Sequence, residues 1–185
     1  MGSEKLLQNI ISHGICKIAE FLKGENPVVI ARGFRSALLR SIGESEIADE
    51  LRVMIRDEED TTAYFTFSTQ MHPKFHQFRV YGPENGLIVD YDQQTIIKVR
   101  GVKYKSYMEK LVPPITYAKQ YLANWRTNVG KFLRNDFHMN SGMRFLIKSF
   151  HRAVLDDGPL PIPYREIILT SKIMDSIFEQ LEQSK

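Results

Sequence analysis

Apolar positions change period along the chain, and the changes predict its elements in order. From Glu4 to Lys23, the residues Leu7, Ile10, Ile11, Gly14, Ile18, Phe21 and Leu22 fall on one helical stripe, and Gly24 supplies a stop. After Pro27 the short β-branched run Val28, Val29, Ile30 and Ala31 predicts a strand. Arg35 to Ile42 has room for a turn or two of helix before Gly43.

The period then falls to two. Leu51, Val53 and Ile55 alternate with Arg52, Met54 and Arg56, and Ala63, Phe65 and Phe67 alternate with Tyr64, Thr66 and Ser68. The acidic run Asp57 to Asp60 between them makes a hairpin. Phe75 to Tyr81, Leu87 to Tyr91 and Thr95 to Arg100 add three strands, separated by Gly82-Pro83-Glu84-Asn85-Gly86 and by Asp92-Gln93.

The remainder returns to helical spacing. Ile115 to Arg134 carries Tyr117, Tyr121, Leu122, Trp125, Val129, Phe132 and Leu133; a second helix capped by Asn140 or Ser141 carries Met143, Leu146, Ile147, Phe150 and Val154. Beyond the proline-rich link Gly158 to Pro163, Tyr164 to Glu182 forms the last helix, with Ile167, Ile168, Ser171, Met174, Phe178 and Leu181 inward. The pattern predicts an α+β fold: an open, mostly antiparallel sheet of about six strands with helices packed on one face. Residues 4–185 make a single domain, and Met1-Gly2-Ser3, which has the look of a cloning remnant, is set aside.

Composition narrows the function classes. A net charge of +3 spread over interleaved signs is a weak basis for nucleic-acid binding. The one cysteine, Cys16, excludes an internal disulfide and suits a cytoplasmic setting. No apolar run reaches the roughly 20 residues that span a bilayer. Lys103, Tyr104, Lys105, Tyr107 and Lys110 form the one basic aromatic stretch, a pattern that fits single-stranded nucleic acid but equally a solvated loop.

The chain contains no Gly-x-Gly, so the close backbone approach that a dinucleotide pyrophosphate needs at a helix start has no candidate, and no cofactor-binding residue is assigned. Zinc and calcium patterns are also absent, and no metal site is assigned; of His13, His72, His76, His138 and His151, only His72 and His76 are four apart, with Pro73 between them. His13 stands out by its neighbours. Asn9, Cys16 and Lys17 share its turn, an arrangement in which Asn9 orients an imidazole that gives or takes a proton beside the Lys17 ammonium. The plain alternative is a packed boundary residue.

Three stretches together resemble the Gfo/Idh/MocA family of NAD(P)-dependent oxidoreductases. Asn9-x-x-x-His13, then Phe21-Leu22-x-Gly24 and Pro27-Val28-Val29, is similar to the family's Asp-x-x-x-His helix, Leu-Gly turn and Pro-x-x-Val strand. Phe78-x-Val80-x-Gly82-x-x-x-Gly86 with Val89 and Asp90 resembles its strand, glycine turn and strand. Gly142, Phe145, Phe150 and Ala153, then Gly158, Pro161 and Ile177, resemble its closing helices. Asn9 replaces the usual Asp, and Ile11 stands where a glycine is expected.

The resemblance implies the C-terminal, substrate-side and oligomerisation domain of such an enzyme. It covers nearly the whole chain from Leu6 and includes no counterpart of the Rossmann half or its catalytic lysine. It implies His13 as the proton-transfer residue and a sugar, polyol or related substrate; Asn9, in the motif, and Lys17, on the same helix turn, are the expected substrate-binding residues. The chain alone then binds no cofactor, and NAD or NADP is brought by a Rossmann domain in cis or in trans. The open sheet face, carrying Arg52, Tyr64, Thr66, Gln77, Arg79, Tyr81 and Lys98, is expected to join a homo-oligomer. A non-catalytic dimerising or scaffold module of the same fold is the other expectation.

Overall fold

The computed structural model describes residues 3–43, 48–137 and 141–183; the expected cap Asn140 and the histidine His138 lie outside them. The chain forms two compact units, one of Met1–Gln70 with Leu146–Lys185 and one of Met71–Phe145. The α+β class holds, with six antiparallel strands among the described residues. Their hydrogen bonds make two sheets of three, ordered β1-β2-β3 and β4-β5-β6, where the meander pattern placed one sheet. Alternation reports which residues share a face of a strand and carries no information on which strands pair.

In the first unit, α1 (Ser3–Ala19) and α5 (Tyr164–Gln183) pack against the sheet of β1 (Val28–Phe34), β2 (Glu50–Arg56) and β3 (Thr62–Ser68). The short α2 (Ala37–Ser41) follows β1 and is capped by the Ser36 hydroxyl, which accepts from the Leu39 amide. Helix α1 buries Ile11, Ile15, Ile18 and Ala19, with Leu22 just beyond it, the sheet buries Ala31, Leu51, Val53 and Ile55, and α5 buries Leu169, Ile173, Met174 and Ile177. Gly14 sets how closely α1 approaches the sheet: a Cβ there would overlap the Phe65 ring.

The phase of α5 differs from the expected one. Ile167 and Ile168 are exposed, and the row Leu169, Ile173 and Ile177 faces the core. The apolar arc of this helix is wide enough to admit either phase, and long-range hydrogen bonds accompany the one adopted. The Arg165 guanidinium donates to the carbonyls of Leu22 (2.8 Å) and Gly24 (2.9 Å) in the segment that follows α1. The Gln180 amide meets β1: its Oε1 accepts from the Ala31 N–H (2.9 Å) and its Nε2 donates to the Val29 carbonyl (2.8 Å). Since β1 is an outer strand, that side chain occupies main-chain groups that would otherwise template another strand.

In the second unit, β4 (Gln77–Tyr81), β5 (Asn85–Asp90) and β6 (Thr95–Arg100) form consecutive hairpins, and α3 (Met108–Leu133) runs beside β6. Helix α3 begins ahead of Pro113 and Pro114 and continues through them, whereas the pattern started it at Ile115. Gln120 Oε1 accepts from the Lys98 amide (2.7 Å) and its Nε2 donates to the Lys98 carbonyl (3.1 Å); Asn124 does the same for Ile96, at 3.1 and 2.9 Å. Asn128 donates to the Gln93 carbonyl at 2.9 Å. The spacing explains the match: four helical residues rise about 6 Å, and two strand residues about 6.6 Å. A polar i, i+4 row therefore follows the free edge of a strand, and the apolar side of α3 is left facing elsewhere. Helix α4 (Ser141–Leu155) likewise exposes Met143, Ile147, Phe150 and Val154.

Candidate functional site

Packing on one side of α1 determines what its other side presents. With Ile11, Ile15 and Ile18 buried, Asn9, His13, Cys16 and Lys17 are brought together on the outer face, where Asn9, His13 and Cys16 are exposed and Lys17 is half-buried. The Ser12 hydroxyl donates to the Asn9 carbonyl (2.9 Å), and the Cys16 thiol donates to the His13 carbonyl (3.2 Å). Burial pushes the Cys16 thiol up, partly offset by Lys17, so it is a poorer nucleophile than a free thiol. The face thus offers an accessible imidazole for proton exchange, an ammonium for an anionic or hydroxyl-rich ligand, and an amide that hydrogen-bonds without charge. A carboxylate at position 9 would have given it a second base.

The strand residues separate by sheet and by face. Arg52 lies opposite Thr66 and Tyr64 opposite Met54, so Arg52, Tyr64 and Thr66 share the outer face of the first sheet with Ile30 and Phe34. Tyr64 is 75% exposed there, while Arg52 is held by the carbonyls of Leu51 and Phe67 and by Glu50. Gln77, Arg79 and Tyr81 share a face of the other sheet with Thr95 and Ile97, both buried. Tyr81 crosses to Gly86, where an added Cβ would come within 2.8 Å of its ring. Lys98 pairs with Leu87, itself opposite Val80, and so stands on the reverse face from Arg79. The seven residues do not make one surface.

Two buried carboxylates had no place in the sequence reading beyond a turn. Asp57 accepts from the amides of Lys23 (2.9 Å), Glu59 (3.0 Å) and Thr61 (2.9 Å), tying the β2–β3 turn to the end of α1. Burial alone would raise its pKa; these amides outweigh that and hold it below the usual carboxylate range. Asp49 behaves alike, its burial overcome by Ser36 and Thr69, with the Ser36 amide at 2.7 Å. Both are joints of the fold. The signal for such a residue in sequence is an Asp between a strand and a turn, too common to single out.

Among the described residues no group of three His, Cys, Asp or Glu side chains could hold a metal ion. No helix of the described residues is long and apolar enough to cross a membrane. The basic aromatic stretch from Lys103 lies in the loop between β6 and α3 and in the first turn of that helix. Two glycines stand between a strand and a helix or at a strand's end, as a pyrophosphate cradle would require. The Cβ position of Gly33 is closed by Leu181 and Ala48, and that of Gly101 by the Glu84 main chain. Both glycines serve close packing of the chain on itself, and these residues do not fit a dinucleotide.

The fold is similar to part of two dehydrogenases and of an NAD-binding protein of known structure. UDP-N-acetylglucosamine 3-dehydrogenase GnnA from Acidithiobacillus ferrooxidans matches with a TM-score of 0.63 at 13% identity, over 94% of this chain and 46% of that one. The WlbA dehydrogenase from Bordetella pertussis, solved with NADH and UDP-GlcNAcA, matches with a TM-score of 0.59 at 13% identity, over 94% and 44%. An NAD-binding protein from Listeria innocua matches with a TM-score of 0.55 at 14% identity, over 94% and 48%. The chain therefore spans about half the length of the solved proteins that it matches. No protein-family model and no curated relative matches it.

Proposed function

We propose that this chain is the substrate-binding and oligomerisation domain of an NAD(P)-dependent oxidoreductase acting on a sugar, polyol or related substrate, and that it performs no hydride transfer alone. The observation that carries the reading is the match of 94% of this chain to 46% of a sugar-nucleotide dehydrogenase. A Rossmann domain, in cis or in trans, supplies NAD or NADP. His13 exchanges the proton of the reacting hydroxyl, and Asn9 and Lys17 hold the substrate against α1. The first sheet's outer face, with Arg52, Tyr64 and Thr66, joins a second subunit; Gln77, Arg79, Tyr81 and Lys98 contribute to assembly separately, from the two faces of the second sheet. The setting is cytoplasmic.

Calorimetric titration of UDP-N-acetylglucosamine and of simple polyols into the chain tests the substrate role. Saturable binding that weakens by roughly tenfold in Lys17→Ala, the loss of one charge-assisted hydrogen bond, is expected. Absence of binding by any of these ligands argues for the second reading, a non-catalytic dimerising module of the same fold, which Asn9 in place of a carboxylate favours.

A further inference from the structure

The apolar side of α3 has a finer period than its amphipathicity requires. Ile115, Ala118, Leu122, Trp125, Val129 and Phe132 follow one another at intervals of three, four, three, four and three residues, the spacing of a seam that fits another helix. The seam is open: Ile115 is 58% exposed, Leu122 47%, Trp125 60% and Phe132 71%. It is also distinct from the side of α3 used within the fold, since Gln120 and Asn124, which hold the β6 edge, lie on the opposite side of the helix. We infer that α3 pairs with α3 of a second copy, in parallel and in register, through this seam.

Three features select that partner. The β-branched Ile115 and Val129 occupy two of the three positions where branching favours parallel two-stranded pairing. The flanks of the seam differ: exposed Lys119 and Arg126 run along one side and exposed Tyr121 along the other, where Asn128 is already bonded to the β5–β6 turn. An antiparallel pair would set the two basic rows against each other, whereas a parallel pair sets Tyr121 of each copy beside Arg126 of the other, where a guanidinium can stack on the ring. In area, Trp125 and Phe132 alone offer roughly 200–300 Å² per copy. A stable interface buries about 800 Å² on each partner, within reach of a seam of this length.

The seam uses none of the sheet residues proposed above, and its test does not depend on them. Leu122→Lys is expected to halve the mass measured by sedimentation, whether the starting assembly is a dimer or a tetramer. Trp125, the one tryptophan, should shift its emission to the red on dilution of the parent chain as it leaves the seam. In a Cys16→Ser background, Ala118→Cys should form a 118–118 disulfide between copies under mild oxidation. Should Leu122→Lys lose helix by circular dichroism, the cysteine variant, which changes little in volume, decides. An unchanged mass in folded Leu122→Lys, or no 118–118 bond, overturns the inference.

Discussion

Replacing Gln180 tests the claim that a helix amide closes the open edge of the first sheet. Gln180→Ala removes two part-buried hydrogen bonds, from the Ala31 N–H and to the Val29 carbonyl. At about 0.5–1.5 kcal/mol each, the loss is about 1–3 kcal/mol. For a chain of 185 residues that lowers the melting temperature by roughly 2–12 °C. Gln180→Glu separates geometry from chemistry. Ionised, the new carboxylate still accepts from Ala31 but turns a second acceptor toward Val29, so the variant is at least as unstable as Gln180→Ala at pH 7.

Protonated, the same carboxyl donates through its O–H and accepts through its C=O, which restores both bonds. Its folded pKa is then raised above the ordinary value of about 4.3, and the native state binds the extra proton. The deficit relative to the parent chain, measured at the same pH, is full above the folded pKa and shrinks as pH falls toward the unfolded value. Urea titrations followed by far-ultraviolet circular dichroism between pH 4 and 8 give the comparison. Equal stability of the parent and Gln180→Glu at pH 7, or a deficit that does not change with pH, would refute the reasoning.

Gly14→Ala forces its methyl group into the Phe65 ring and should cost about 1–3 kcal/mol, while the same substitution in a Phe65→Leu background should cost measurably less; equal costs in the two backgrounds would break the proposed contact. Asp57 and Asp49 have folded pKa values depressed below the unfolded value of about 3.9, so their stabilisation is complete above that pH and is lost as pH falls through the folded values. Asp57→Asn should flatten the acid limb of the stability curve, and an acid limb unchanged by it would remove Asp57 as a cause.

The hairpins were legible because period-two runs bounded by acidic or glycine turns admit few other conformations, and strands β2, β3 and β6 follow them within a residue. Two features were hidden for a common reason. Faces across hairpins depend on register, which placed Lys98 behind Arg79, and the partner of β3 depends on tertiary packing. The rotation of α5 was hidden because Ile167, Ile168 and Leu169 are consecutive, and the bonds that accompany the chosen rotation, from Arg165, Lys172 and Gln180, reach residues more than 140 positions away. The polar face of α1 was legible as a set, since i, i+3 and i+4 spacing must bring Asn9, His13, Cys16 and Lys17 together once the helix forms. The edge-following row Gln120, Asn124 and Asn128 is an amide at every fourth position, a spacing that a solvated helix face carries equally well.

The central claim is that this chain carries the substrate side of a dehydrogenase and leaves the nicotinamide cofactor to another domain. Titration of NADH and NADPH into the purified chain, followed by nicotinamide fluorescence and by calorimetry, addresses it most directly. The account predicts no saturable signal up to millimolar cofactor; saturable binding of either dinucleotide would contradict it.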